Sequence, residues 1–199
     1  MKHFMLPVDE GVGRIRETIE ELGLAEETLI WFVSDNGGTW TNGTMSINTR
    51  DNKGSFYQGG HQVPGIVWAP GRIEPNQRSF ALVMTMDIMP TSLELTGQEA
   101  PEGHHFDGID VGPALFQGES LPERTIIWGR QDIEVGALRK GPWKLVKQDE
   151  LYHLTEDPRE TTDLAQQFPD RVAQMQQERR AIYEEALSSS PYEAIPRDL

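Results

Sequence analysis

The feature that most constrains the fold is an apolar run that ends abruptly in oxygen-bearing side chains. Leu29 to Val33 is continuously apolar, and Asp35, Asn36 and two glycines follow at once. Such a run predicts a buried strand whose carboxyl end opens into a loop, where ligands bind in open α/β sheets. A second apolar run, Val63 to Trp68, predicts a second buried strand of the same sheet. It would lie parallel to the first if a right-handed crossover joined them, although the connection contains no clear helix.

The residues between these two strands provide the chemistry of a cation and an anion site. Asp35 offers a carboxylate oxygen and Asn36 an amide oxygen, and both are hard donors suited to Ca²⁺ or Mg²⁺. Lys53 supplies a positive point charge for an anion such as sulfate or phosphate. We expect these three side chains to gather at the carboxyl edge of the sheet. The alternative is an ordinary Asp-Asn-Gly turn beside a solvated surface lysine.

Six stretches of this chain, taken in order, resemble the sulfatase family of the alkaline-phosphatase-like superfamily. They are FVSDNGG (Phe32 to Gly38), NKGSFYQGGHQVPGIVWAPG (Asn52 to Gly71), MDIMPTSLELTG (Met86 to Gly97), FDGIDVGPAL (Phe106 to Leu115), LRKGPWKLV (Leu138 to Val146) and ELYHLTEDPRETTDLA (Glu150 to Ala165). The resemblance covers most of the chain from about Asp9 onward. It implies arylsulfatase-like hydrolysis of the sulfate esters of small molecules or carbohydrates, with a divalent metal, Ca²⁺ or Mg²⁺.

The resemblance also suggests roles for individual residues. Asp35 and Asn36 match the family's late pair of metal ligands, and Lys53 matches the catalytic lysine that contacts sulfate. His61 follows a double glycine at a position where family members vary. We interpret it first as a structural residue and second as a substrate contact.

The family's nucleophile is not found in this sequence. That nucleophile is a formylglycine made from the first residue of a C/S-x-P-S/A-R motif, but the chain has no cysteine and no serine in such a motif. The family's early metal-ligand aspartates are also absent. We therefore expect a C-terminal portion of a sulfatase that is inactive alone, with the formylglycine in a missing N-terminal half. That half, or a second copy of the chain, is the expected protein partner. The alternatives are a non-catalytic interaction or structural module and a phosphoryl or phosphonate hydrolase of the same superfamily.

The predicted fold class is α/β. A partial alkaline-phosphatase-like sheet with flanking helices would occupy residues 1–117. A small antiparallel four-stranded sheet packed on a C-terminal helix would occupy residues 118–187, and residues 188–199 would form a mobile tail. Helices are predicted at Asp9 to Leu24, Asp87 to Leu95 and Pro169 to about Leu187, with Asp9 and Asp87 as N-caps and Gly23 and Gly97 as stops.

The net charge of −14 argues against two classes of partner. So acidic a surface repels nucleic acid and anionic membranes. No apolar run approaches the roughly 18 residues of a membrane span. The first residues, MKHFMLPVDEG, lack the apolar core of a signal peptide. Sulfatases are often periplasmic, secreted or lysosomal, so the resemblance leaves the compartment open.

Overall fold

The computed structural model describes residues 2–39, 48–129 and 136–189, which form two compact units. Unit 1 contains the described residues up to Ser34 together with Pro64–Pro122. Unit 2 contains Asp35–Val63 and the described residues from Glu123 onward. The sequence-based division at residue 117 assigns residues 35–63 to the first domain, whereas in the structure they pack in unit 2.

The longer elements are α1 (Lys2–Glu21), β1 (Ile30–Val33), α2 (Gln58–His61), β2 (Gly65–Trp68), α3 (Ile88–Thr96), α4 (Gly112–Phe116), β3 (Thr125–Gly129), β4 (Gly136–Lys140), β5 (Trp143–Val146), β6 (Glu150–His153) and α5 (Pro169–Ser189). Two 3₁₀ turns, Ala25–Glu27 and Thr85–Asp87, precede β1 and α3. Within the described part of the chain, no helix is long and apolar enough to cross a membrane. Most of the predicted tail lies outside the described residues.

Helix α1 begins earlier than predicted. Asp9 therefore lies inside the helix and is not its N-cap. The helix starts at Lys2 and includes Pro7. Pro7 has no amide hydrogen, so the helix lacks one backbone hydrogen bond at that position. The predicted stop is confirmed, since the helix ends at Glu21 and Gly23 adopts a φ of +71°.

Strands β1 and β2 pair antiparallel, so the expectation of a parallel pair is wrong. Ile30 lies opposite Trp68 and Val33 lies opposite Gly65. The Ser34 amide donates to the Pro64 carbonyl, so the chain re-enters the sheet beside the point where it left. A parallel pair would require the chain to return to the opposite end of β1 through a crossover, and the one helix among the described residues of the connection is α2, with four residues.

The expectation that both strands are buried is also wrong. Val33 is 37% exposed and Ile66 is 59% exposed. In the described residues β1 and β2 form a two-stranded sheet. A sheet of only two strands offers its apolar side chains few neighbours, so they remain accessible.

Asp87 does not cap helix α3 with its side chain. The carboxylate is fully buried and accepts hydrogen bonds from the amides of Met84 (2.6 Å) and Ile109 (3.1 Å). It therefore joins two loops of unit 1 instead of satisfying the first amides of the helix. Gly97 ends α3 in the left-handed region, as predicted.

The four-stranded sheet of unit 2 confirms the predicted antiparallel meander, with strand order β3-β4-β5-β6. Alternate residues of its strands point to opposite faces of the sheet, and each face packs on a different part of unit 2. One face packs on α5 through Leu138, Leu145, Leu151 and Met175. The opposite face packs on the segment before α2 through Tyr57, Ala137, Val146, Tyr152 and Leu154. Tyr57, four residues after the predicted site residue Lys53, is therefore part of the core of unit 2.

Candidate functional site

Asp35 and Asn36 form the turn that follows β1. Asp35 is exposed and Asn36 is half-buried, and the Asn36 side-chain amide donates to the Asp35 carboxylate. Both side chains present oxygen atoms within one short turn. This turn is the start of the segment 35–63, which belongs to unit 2.

Lys53 lies on an exposed turn whose backbone is hydrogen-bonded to the segment that follows Asp35 and Asn36. The Lys53 amide donates to the Gly38 carbonyl at 2.9 Å. The Gly37 amide donates to the Gly60 carbonyl at 2.9 Å, and the Gly59 amide donates to the Arg50 carbonyl at 2.7 Å. Three backbone hydrogen bonds thus join the turn after β1, the turn of Lys53 and helix α2.

Glycine is required where these three segments meet. A Cβ on Gly37 would lie 1.7 Å from the Gly59 carbonyl oxygen, and a Cβ on Gly60 would lie 2.0 Å from the Ser55 carbonyl oxygen. No side chain fits at such distances, so the close approach depends on the absence of a Cβ at both positions. Gly37 and Gly60 therefore allow the backbones of these segments to pack in direct contact.

His61, the last residue of α2, lies in a half-buried environment beside Lys144. Its ring stacks on Trp128 with a centroid distance of 4.1 Å, and its Nε2 lies 3.1 Å from both Lys144 Nζ and the Phe56 carbonyl oxygen. Burial, together with the charge of Lys144, lowers the pKa of His61 to about 3. The ring is therefore neutral at pH 7. A neutral Nε2 either accepts from Lys144 or donates to Phe56, but not both.

Lys144 and Glu160 form an ion pair with both side chains fully buried. Lys144 Nζ lies 2.6 Å from Glu160 Oε1 and 3.1 Å from Gln58 Oε1. The second carboxylate oxygen, Glu160 Oε2, accepts from the Gln58 backbone amide at 2.6 Å. Burial lowers the pKa of Lys144 to about 8, although the neighbouring Glu160 carboxylate opposes this shift. No role is predicted from the sequence for Lys144, Glu160 or Gln58.

A signal for Lys144 exists in the sequence. Strand β5 reads WKLV, in which Lys144 is the one charged residue. In a strand that alternates between two covered faces, Trp143 and Leu145 pack toward α5, and Lys144 and Val146 point to the other face. A charge on a covered face needs a buried partner, which Glu160 supplies.

Arg50 attaches the segment before Lys53 to the sheet. Its guanidinium group lies 3.8 Å from the centre of the Tyr57 ring and donates to the Tyr152 hydroxyl (2.9 Å) and the Glu160 carbonyl (2.7 Å). Nearby, burial acts to raise the pKa of Glu150, but hydrogen bonds from Lys147, Tyr57 and Tyr152 lower it to about 2. Arg50, three residues before Lys53, is thus anchored to unit 2 by the aromatic rings of Tyr57 and Tyr152 and by the Glu160 carbonyl.

The donor types of the Asp35–Asn36 turn fit a hard divalent cation. A carboxylate and an amide oxygen are the ligand types that Ca²⁺ and Mg²⁺ prefer, and Asp35 is accessible. The number of donors is small, because no group of three or more His, Cys, Asp or Glu residues suited to a metal occurs among the described residues. These two residues could therefore provide part of a coordination shell.

Comparison with known proteins identifies the family. A family model described as Sulfatase matches residues 2–98. N-acetylgalactosamine-6-sulfatase of Sus scrofa is 36% identical over 134 residues, which are 65% of this chain and 26% of that protein. Human arylsulfatase G is 34% identical over 134 residues, 61% of this chain and 25% of that protein. The chain thus spans about a quarter of the length of the curated relatives it matches.

A solved structure agrees with the sequence comparisons. The PsFucS1 sulfatase from Pseudoalteromonas sp. superimposes with a TM-score of 0.80 at 29% identity, over 95% of this chain and 43% of that one. This similarity extends beyond residue 98 to the four-stranded sheet and α5, which the family model does not cover. The chain therefore belongs to the sulfatase family.

Proposed function

We propose that this chain carries part of the active site of a sulfuric ester hydrolase. In this proposal Asp35 and Asn36 are ligands of a divalent cation, Ca²⁺ or Mg²⁺, and Lys53 binds the sulfate group of the substrate. The observation that supports it best is the hydrogen bond from the Lys53 amide to Gly38, because it joins the lysine turn to the Asp35–Asn36 turn in a member of the sulfatase family.

The proposed role of Lys53 is electrostatic. Its exposed ammonium group can donate to a sulfate oxygen and stabilise the negative charge that develops during hydrolysis. A divalent cation, when bound, would polarise the sulfate group. Asp35 and Asn36 would orient that cation from a turn whose backbone is fixed by the bond between Gly37 and Gly60.

We propose sulfated carbohydrates or sulfated small molecules as the substrates. The name of the relative N-acetylgalactosamine-6-sulfatase supports a sulfated sugar. We also propose that the 199 residues alone have no turnover, because they contain neither a cysteine nor a serine in the motif that yields formylglycine. We expect residues of a sulfatase N-terminal half to supply the nucleophile and the remaining metal ligands.

Titration of the chain with Ca²⁺, followed by ¹⁵N amide shifts, tests the metal assignment. We expect weak binding, with a Kd of about 10⁻³ M, because two protein ligands leave most of the coordination shell to water. The amides of residues 35–38 should shift, and Asp35→Ala should abolish the shifts. Glu99→Ala, which removes an exposed carboxylate from a loop of unit 1, is the control. Unchanged shifts in Asp35→Ala would contradict the assignment.

A further inference from the structure

The buried pair of Lys144 and Glu160 belongs neither to the proposed metal ligands nor to the proposed sulfate contact, yet it is fully desolvated. Burying two charges costs free energy unless their remaining donors and acceptors are satisfied. Here the additional hydrogen bonds of both side chains go to one element. Lys144 reaches Gln58 and His61, the first and last residues of α2, and Glu160 reaches the Gln58 amide.

Helix α2 in turn supports both halves of the proposed site. Gly60 accepts from Gly37, next to Asn36, and Gly59 donates to Arg50, three residues before Lys53. A Cβ on Gly59 would lie 2.1 Å from the Asp51 carbonyl oxygen, so these backbones are in direct contact. A small displacement of α2 therefore moves both turns.

We propose that Lys144 and Glu160 are positioning residues whose buried ion pair fixes α2, and through α2 the backbone that carries Asp35, Asn36 and Lys53. This inference rests on the proposed function for the roles of those three residues. The pair comes from β5 and from the loop after β6, so the small C-terminal sheet contributes to the site by orienting it.

The four residues of α2 cannot hold their position alone. A helix of one turn has no stability of its own, and two of its residues are glycines. Its N-terminal amide is satisfied by the Glu160 carboxylate. The Lys144 ammonium group donates to Glu160 and Gln58, and its Nζ lies 3.1 Å from His61 Nε2. The ion pair thus satisfies the first amide of α2 and contacts the side chains of its first and last residues.

Amide hydrogen exchange on the 199-residue chain tests this role without any enzyme assay. The informative amides are those of Gly37, Lys53 and Gly59, which donate to Gly60, Gly38 and Arg50. The variant Lys144→Met/Glu160→Leu replaces both charges by apolar groups of similar volume, so that no charge is left buried alone. We expect protection of the three amides to fall by about 10- to 100-fold, the effect of losing a hydrogen bond to a charged group.

The reference amides are those of Lys147 and Leu164, which bond to Gly136 and Leu151 in the sheet region. They should keep their protection in the double variant. The matched control is Lys140→Met/Glu178→Leu, which removes a 2.9 Å ion pair between β4 and α5. This control should leave Gly37, Lys53 and Gly59 as in the wild type.

A conservative variant separates positioning from general stability. In Lys144→Met/Glu160→Gln the amide oxygen can still accept from the Gln58 backbone, so protection of Gly37 and Gly59 should recover by about tenfold relative to the Leu variant. Unchanged protection of these amides in the Leu variant would overturn the proposal, and so would an equal loss at Lys147 and Leu164. If the wild-type chain fails to bind Ca²⁺, the proposed function is contradicted, whereas the exchange result still decides whether the pair fixes α2.

Discussion

Replacing His61 by phenylalanine should remove a defined part of the pH dependence of unfolding. The pKa of His61 is lowered from 6.5 to about 3, chiefly by burial. Because the folded pKa lies below the unfolded one, the unfolded chain takes up the proton first as the pH falls. The contribution to stability is complete above about pH 6.5 and is lost progressively between pH 6.5 and pH 3.

The magnitude at pH 5 follows from the unfolded pKa alone. At that pH the unfolded imidazole is mostly protonated and the folded one is not, which lowers the free energy of unfolding by about 2 kcal/mol relative to pH 7.5. The phenyl ring of the variant would keep an aromatic group against Trp128, on which the imidazole stacks with a centroid distance of 4.1 Å. His61→Phe should therefore lose about 2 kcal/mol less than the wild type between pH 7.5 and pH 5.

Urea unfolding at both pH values, followed by tryptophan fluorescence, measures this difference. The comparison is made within each variant, so a constant loss from the missing contact with Lys144 cancels. His105→Ala, which removes a histidine from an exposed loop, is the control. The same pH dependence in His61→Phe and in the wild type would refute the assignment of a buried, neutral imidazole.

Three further predictions concern packing and charge. Gly37→Ala should lower the free energy of unfolding by at least about 2 kcal/mol, because its Cβ would lie 1.7 Å from the Gly59 oxygen; an unchanged melting temperature would contradict the close approach. Lys144→Met alone should lower the free energy of unfolding, measured by urea titration, by about 3–5 kcal/mol, because it leaves Glu160 buried and unpaired. Lys144→Met/Glu160→Leu should keep a free energy of unfolding near that of the wild type. Equal losses in the two variants would contradict this. The chain should bind a hydrophobic dye and self-associate, because Ile66 and Phe80 are 59% and 98% exposed; a clean monomer without dye binding would count against it.

The sheet of unit 2 was predictable from the sequence because its signals are local. Short apolar segments separated by turns such as Lys140-Gly141-Pro142 indicate a meander, and Pro169 marks the start of α5. The apolar residues Val172, Met175 and Ile182 of α5 face the sheet, as their spacing indicates. Here each strand pairs with its neighbour in sequence, so local pattern and strand order agree.

The direction of β2 and the surroundings of His61 were not predictable in the same way. Two apolar runs indicate two strands, but their relative direction depends on the path of residues 34–64, which have no periodic pattern. The contacts of His61 with Lys144 and of Gln58 with Glu160 join residues 83 and 102 positions apart. Such pairs leave no periodic signal, so the sequence indicates at most that Lys144 is a charge within an apolar strand.

The central claim is that Asp35, Asn36 and Lys53 belong to the active site of a sulfatase. It is tested most directly by aryl sulfate turnover, with Ca²⁺, of a protein that joins these 199 residues to the N-terminal half of a related sulfatase. We predict turnover that falls by about 10²–10³ in Lys53→Ala and in Asp35→Ala, the usual effect of losing one electrostatic contact to the transition state. Arg78→Ala, which removes an exposed cation from unit 1, should retain wild-type turnover. Normal turnover in Lys53→Ala would contradict the claim.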